Sequence, residues 1–176
     1  YKYNLLSEIT DVIDALNNTT FMTYDSLGRR TSITNPDTGT VSYTFDAGGN
    51  VTAKTDSNLN RKAHPIKYTY EYHRLLKVDY PEKPDTTYTY GPAGAADNSR
   101  GRIVRIDDES GVTQFEYGKL GETTALNKSI NRITVCADAM DFAFAYTHDY
   151  LGRMENISYP DGEVLTYTYD SGGQIK

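Results

Sequence analysis

Tryptophan is absent from the 176 residues, and cysteine occurs once, at Cys136. A single thiol excludes an internal disulfide framework. With no histidine near it in sequence and no basic helix start to activate it, Cys136 reads as a small buried or loop side chain, not a nucleophile. No apolar run approaches the roughly 18 residues that a membrane-crossing helix requires, so membrane insertion is not expected. Positive charge is also in short supply, with 18 Lys and Arg against 24 Asp and Glu for a net charge of −6. It gathers only in the short groups Arg29-Arg30, Arg61-Lys62 and Arg100/Arg102/Arg105, which excludes nucleic acid as a partner.

Chemistry-bearing motifs are missing in the same way. The histidines number three and form no HxH or HExxH pattern, and CxxC is impossible, so His64 and His73 carry no metal expectation. Asp56-Ser57-Asn58-Leu59-Asn60 begins like a calcium loop, but Arg61 and Lys67 stand where such a loop needs Gly and Glu. Gly91, Gly94 and Gly101 are not followed by Lys-Ser or Lys-Thr, so no phosphate-cradling loop is present. No cofactor is expected, and the chain is not expected to be an enzyme.

What the chain has in quantity is tyrosine, 16 residues beside 5 phenylalanines. Val41, Tyr43 and Phe45 alternate with Thr40, Ser42 and Thr44, a period of two that marks a strand. The same alternation recurs at Tyr68/Tyr70/Tyr72, Tyr88/Tyr90, Phe115/Tyr117, Phe142/Phe144/Tyr146 and Leu165/Tyr167/Tyr169. Ile9, Val12, Ile13 and Leu16 also suit a helical face, but the surrounding phase asks for a strand. Mean hydropathy is −0.62, and most of the large apolar area carries a hydroxyl that wants a partner. One layer of strands suits that composition better than a deep core, with aromatic ladders between neighbouring units expected to supply most of the stability.

Each strand ends in a turn, and the clearest turns repeat. Tyr24-Asp25-Ser26-Leu27-Gly28-Arg29, Phe45-Asp46-Ala47-Gly48-Gly49-Asn50 and Tyr169-Asp170-Ser171-Gly172-Gly173-Gln174 are copies of one form. The aspartate can accept a hydrogen bond from the backbone two residues on, and the glycine can take a positive φ. Anchors fall at Tyr3, Tyr24, Phe45, Tyr70, Tyr90, Tyr117, His148 and Tyr169, so the phase survives insertions. Return strands end in a second turn, Asn35-Pro36-Asp37-Thr38-Gly39, which recurs as Tyr159-Pro160-Asp161-Gly162 and loosely as Tyr80-Pro81-Glu82-Lys83-Pro84-Asp85. One unit is therefore a β-hairpin leading into the next.

About eight such units would give about 15 strands in one antiparallel meander, more than an open sheet carries without curling. The expected fold is all-β: a single-layer, curved meander of tandem hairpins over residues 1–176, forming an open piece of a larger β-shell. Residues 56–66 and 91–101 read as longer connections. Residues 120–139 read as two longer strands around a loop at Cys136 to Met140. Both ends fall within repeats, so the chain is expected to be a window on a longer protein.

The repeated segments YDSLGRRTSITNPDTG, YTFDAGGNVT and HDYLGRMENISYPDGEVLTYTYDSGGQIK resemble the tyrosine-aspartate repeat of the Rhs/YD-repeat family. The likeness is strong over residues 22–56 and 146–174 and degenerate between them. The resemblance implies a hairpin strip that spirals into a hollow shell around a C-terminal toxin domain. It further implies a secreted or cell-surface protein, with neighbouring repeats and an enclosed toxin as partners. The family's closing core with its self-cleaving aspartates is not recognisable here. Asp149-x-x-Gly152-x-x-Glu155 sits in phase with Asp25-x-x-Gly28 and reads as a turn.

The candidate residues are turn formers and ladder aromatics: Tyr24, Asp25, Gly28, Phe45, Asp46, Gly49, His148, Asp149, Gly152, Tyr169, Asp170 and Gly173. His148 stands where the repeat has tyrosine, and its neighbour Asp149 belongs to a turn, not to a catalytic pair. A second reading from a different class is a carbohydrate-binding or adhesion module that stacks exposed tyrosines on sugars. Unpaired edge strands would favour self-association.

Overall fold

Alternating side chains and glycine-punctuated turns leave the backbone little choice but hairpins, and hairpins are what form. The computed structural model describes residues 1–61, 64–131 and 140–176. Of the loop expected at Cys136 to Met140, residues 136–139 lie outside the described residues, and Met140 is the first residue of a strand. Two compact units make up the chain, Tyr1–Pro84 and Asp85–Lys176.

The first unit holds strands β1 (Lys2–Tyr3), β2 (Ile9–Ile13), β3 (Thr19–Tyr24), β4 (Arg30–Asn35), β5 (Gly39–Phe45), β6 (Val51–Thr55), β7 (Ile66–Glu71) and β8 (Arg74–Asp79), with a short helix α1 (Ser57–Arg61) after β6. Every strand pairs antiparallel with the next. The second unit is the same arrangement in β9 (Thr86–Tyr90), β10 (Ile103–Asp108), β11 (Gly111–Tyr117), β12 (Thr123–Ile130), β13 (Met140–His148), β14 (Met154–Ser158) and β15 (Val164–Thr166). The expected all-β antiparallel meander is thus the observed one.

Register places the apolar residues on one face. Met22 pairs with Ile33 and Ile33 with Val41 in the first unit. Phe115 pairs with Leu126 and Leu126 with Phe144 in the second. On the opposite face hydroxyls join neighbouring strands, Thr23 to Ser32 at 2.6 Å, Thr34 to Thr40 at 2.9 Å and Thr44 to Thr52 at 2.8 Å. Burial follows from a single layer: among the described residues the one buried hydrophobic side chain is Val78, 5% exposed.

Ile9 to Leu16 is β2 followed by a turn at Asp14, the strand that the repeat phase asks for and not the helical alternative. Several expectations need correction. The connection after β6 is partly helical, because Asp56 caps α1 by accepting from the backbone N–H groups of Asn58 and Leu59, each at 2.9 Å. Tyr72 does not continue the alternation of β7. It sits at φ 57° in a tight turn to β8, whose first residue Arg74 pairs with Glu71. Regular pairing of β15 stops at Thr166, and Tyr169 meets Ile175 in an isolated bridge.

Candidate functional site

The recurrent chemistry lies at one end of the strands in each unit, where the tyrosine-aspartate turns gather. All share two backbone hydrogen bonds. In the turn from Asp25 to Arg29, the Asp25 N–H donates to the Arg29 carbonyl at 2.9 Å and the Gly28 N–H to the Asp25 carbonyl at 3.1 Å. The second bond requires a left-handed residue, and Gly28 supplies it at φ 78°. A β-carbon there would also stand 2.8 Å from a carboxylate oxygen of Glu8 in the preceding turn.

Asp25 completes the loop with its side chain. Its Oδ1 accepts from the N–H groups of Leu27 at 2.9 Å and Arg29 at 3.0 Å, and its Oδ2 accepts from Arg29 Nε at 2.6 Å. Asp149 repeats this with Leu151 and Arg153 at 2.9, 2.9 and 2.7 Å. Asp46 and Asp170 hold their own turns through Asn50 and through Gly172 and Gln174. Partial burial pushes the Asp25 and Asp149 carboxyls up, but the N–H donors and guanidinium of Arg29 and Arg153 outweigh it and leave both lowered. The Asn50 side-chain amide, then its backbone N–H, lowers Asp46.

The same loop occurs where its sequence is disguised. At Asp14 it closes with Asn17 at φ 63° in the glycine position, and at Asn4 with Ser7 at φ 63°. The stretch from Gly91 to Arg102 is not an irregular connection but this turn with an insertion: Gly91 N–H meets the Arg102 carbonyl at 2.8 Å and Gly101 N–H the Gly91 carbonyl at 2.9 Å. Tyr159 to Glu163, the proline turn at the other end, closes the same way.

The anchor aromatics sit where pairing shifts by a residue. Register slips between Thr23 and Tyr24, Thr44 and Phe45, Glu116 and Tyr117, and Thr147 and His148. Such a bulge re-aims a side chain. Three anchor tyrosines share one contact, each hydroxyl donating to the carbonyl of the residue that opens an earlier strand, β2, β10 or β14. Tyr24 reaches Ile9 at 2.8 Å, Tyr117 reaches Ile103 at 2.6 Å and Tyr169 reaches Met154 at 2.7 Å. His148 occupies the same place in β13, and its Nδ1 is sheltered with no hydrogen-bond partner.

Arginine joins one repeat to the next, a role not anticipated from sequence. The guanidinium of Arg29 lies 4.7 Å from the ring centroid of Phe45, that of Arg102 5.6 Å from Tyr117, and that of Arg153 4.4 Å from Tyr169. Arg29 also donates to the Asp46 carbonyl at 3.0 Å. The expected ring-on-ring ladder is therefore guanidinium-on-ring at these links, because the residue after the turn glycine projects over the following anchor. The signal was a Gly-Arg dipeptide, at Gly28-Arg29, Gly101-Arg102 and Gly152-Arg153, ahead of an aromatic anchor.

His73 Nδ1 meets Asn50 Oδ1 at 2.9 Å, and the His64 N–H donates to the Leu59 carbonyl at 3.3 Å. Among the described residues no group of three or more His, Cys, Asp or Glu side chains could hold a metal ion, and no helix is long and apolar enough to cross a membrane.

Comparison with known proteins agrees with this geometry. Residues 3–40 and 24–60 match the family model described as RHS Repeat. The tRNA3(Ser)-specific nuclease WapA of Bacillus spizizenii is 25% identical over 163 residues, covering 72% of this chain and 7% of WapA. The crystal structure of TcdB2-TccC3-TEV superimposes with a TM-score of 0.82 at 19% identity, over 99% of this chain and 10% of that one. That of TcdB2-TccC3 without its hypervariable C-terminal region gives 0.72 at 20% identity, over 89% and 8%. The chain thus spans no more than a tenth of the length of these relatives. The repeated tyrosine-aspartate turn, the repeat model matched over residues 3–60 and the shared fold support an Rhs/YD-repeat protein.

Proposed function

We propose that these residues form part of the wall of a YD-repeat shell that encloses a C-terminal toxin or effector domain, in a secreted or cell-surface protein. One observation carries the reading: the Asp25 and Asp149 turns spend the aspartate on their own loop and the arginine that follows on the next anchor, Arg29 over Phe45 and Arg153 over Tyr169. Side chains committed in this way serve continuity from hairpin to hairpin. The candidate turn and ladder residues accordingly act by holding the strip together and take part in no reaction. The likeness in fold to TcdB2-TccC3 supports the shell, and the nuclease activity named for WapA belongs to a protein of which this chain covers 7%.

Arginine over the rings of Phe45, Tyr117 and Tyr169 favours a wall over a sugar-binding surface, since each of those ring faces already has a partner. Limited proteolysis of the parent polypeptide tests the reading. The region C-terminal to the repeats should resist cleavage in the intact protein and become sensitive when Arg29 and Arg153 are both replaced by Ala. Equal cleavage of that region with and without intact repeats would refute the enclosure.

A further inference from the structure

Tyr24, Tyr117 and Tyr169 share an arrangement that His148 cannot make. In each, the hydroxyl donates to the carbonyl of the residue that opens an earlier strand: Ile9 for β2, Ile103 for β10, Met154 for β14. The residue that opens the strand before β13 is Thr123, and β13 presents His148 in place of tyrosine. An imidazole is shorter than a phenol and ends before the place a tyrosine hydroxyl takes. A groove of about 400 Å³ lies there, with Thr123 and His148 among its walls and Phe115, Leu126, Tyr146 and Met154 supplying apolar surface.

We infer that this groove is a binding site for one phenolic ring, the group that its sister repeats supply from within. A ring would pack against Phe115, Leu126 and Met154, which supply apolar surface to the groove. Its hydroxyl would donate to the Thr123 carbonyl, as Tyr24 does to Ile9. The carboxylate of Glu122 also borders the groove and is already engaged by the Leu120 N–H at 2.8 Å. The recognised chemistry is therefore an aromatic ring with one hydroxyl, not an anion or a cation.

Titration of the isotope-labelled chain with 4-methylphenol, the tyrosine side chain itself, tests the site through the imidazole resonances of His148 and the methyl resonance of Met154. Both should shift saturably. Toluene, which lacks the hydroxyl, should bind about fivefold more weakly, the factor expected of one net hydrogen bond. His148→Tyr should abolish the Met154 shift, because the new side chain fills the groove as Tyr24, Tyr117 and Tyr169 do in theirs. Leu126→Phe fills it from the neighbouring strand and should do the same, whereas His148→Ala should retain the Met154 shift. Non-saturating shifts, toluene binding equal to that of 4-methylphenol, or undiminished binding in both filled variants would each overturn the assignment.

Discussion

Arg153 holds Asp149 through its Nε at 2.7 Å while its guanidinium lies 4.4 Å from the ring centroid of Tyr169. One side chain thereby ties the turn that closes one hairpin to the aromatic that anchors the next. The Asp149 side chain is 10% exposed and that of Arg153 30%, so the pair is better sheltered than an ordinary surface ion pair. Arg153→Lys keeps the charge but loses the planar face and the Nε donor. In a double-mutant cycle of Arg153→Lys with Tyr169→Leu, followed by urea denaturation, a coupling of about 0.5–1 kcal/mol is expected. Additive effects would show that the stacking contributes nothing.

Tyrosine hydroxyls provide a second test. Tyr24→Phe, Tyr117→Phe and Tyr169→Phe each remove one donor to a strand-opening carbonyl. Each should lower stability by about 1 kcal/mol, the usual net worth of such a bond. His148→Tyr should act in the opposite direction by a similar amount, raising the urea midpoint. A neutral or destabilising His148→Tyr would mean that β13 is not equivalent to the other anchor strands.

The left-handed turn position separates strain from crowding. Gly28 and Gly152 have φ 78° and 77°, but an added β-carbon meets Glu8 at 2.8 Å in the first and nothing within 4 Å in the second. Gly152→Ala should cost about 1–2 kcal/mol from backbone strain, and Gly28→Ala at least as much, rising if Glu8 fails to move aside. The reverse change, Ser7→Gly at φ 63°, should stabilise by about 1 kcal/mol. Thermal denaturation of the three variants orders them, and a Ser7→Gly that lowers the midpoint would contradict the strain argument.

Acid sensitivity follows from the turn carboxylates. Asp14 and Asp46 are held below the ordinary carboxyl value, chiefly by the side-chain amides of Asn18 and Asn50. A carboxyl lowered in the folded chain stabilises it above the unfolded value, about pH 4, and that stabilisation fades as pH falls through the folded value. Stability against urea should therefore be flat near neutrality with respect to these groups and decline below about pH 4. Asp46→Asn should make the decline shallower while preserving the turn, since Asn4 already performs the same role through its Oδ1 at 2.9 and 3.0 Å from the N–H groups of Leu6 and Glu8. An unchanged acid limb in that variant would remove Asp46 from the account.

Much of the fold was legible because it is dictated over short distances. Alternation at Val41, Tyr43 and Phe45 specifies a strand, and Asp25 with Gly28 specifies a loop whose every bond lies within five residues. The disguised copies were less legible. Gly91 and Arg102 close the same loop across an insertion, and Asn17 and Ser7 take the glycine position without being glycine. Helix α1 was missed because its cap, Asp56, sits in a polar stretch that reads equally well as a loop.

Sequence by itself determined that this chain is a succession of strands and left-handed turns, since side-chain period and backbone sterics act between near neighbours. Only the tertiary structure decided which carbonyl each tyrosine reaches, that arginine and not a second ring covers the anchors, and that His148 leaves a groove. Those partners lie about fifteen residues apart, as Tyr24 does from Ile9 and Arg153 from Tyr169. They meet because bulges at the anchors set the register between strands, and that register is a property of paired backbones rather than of any local run of residues.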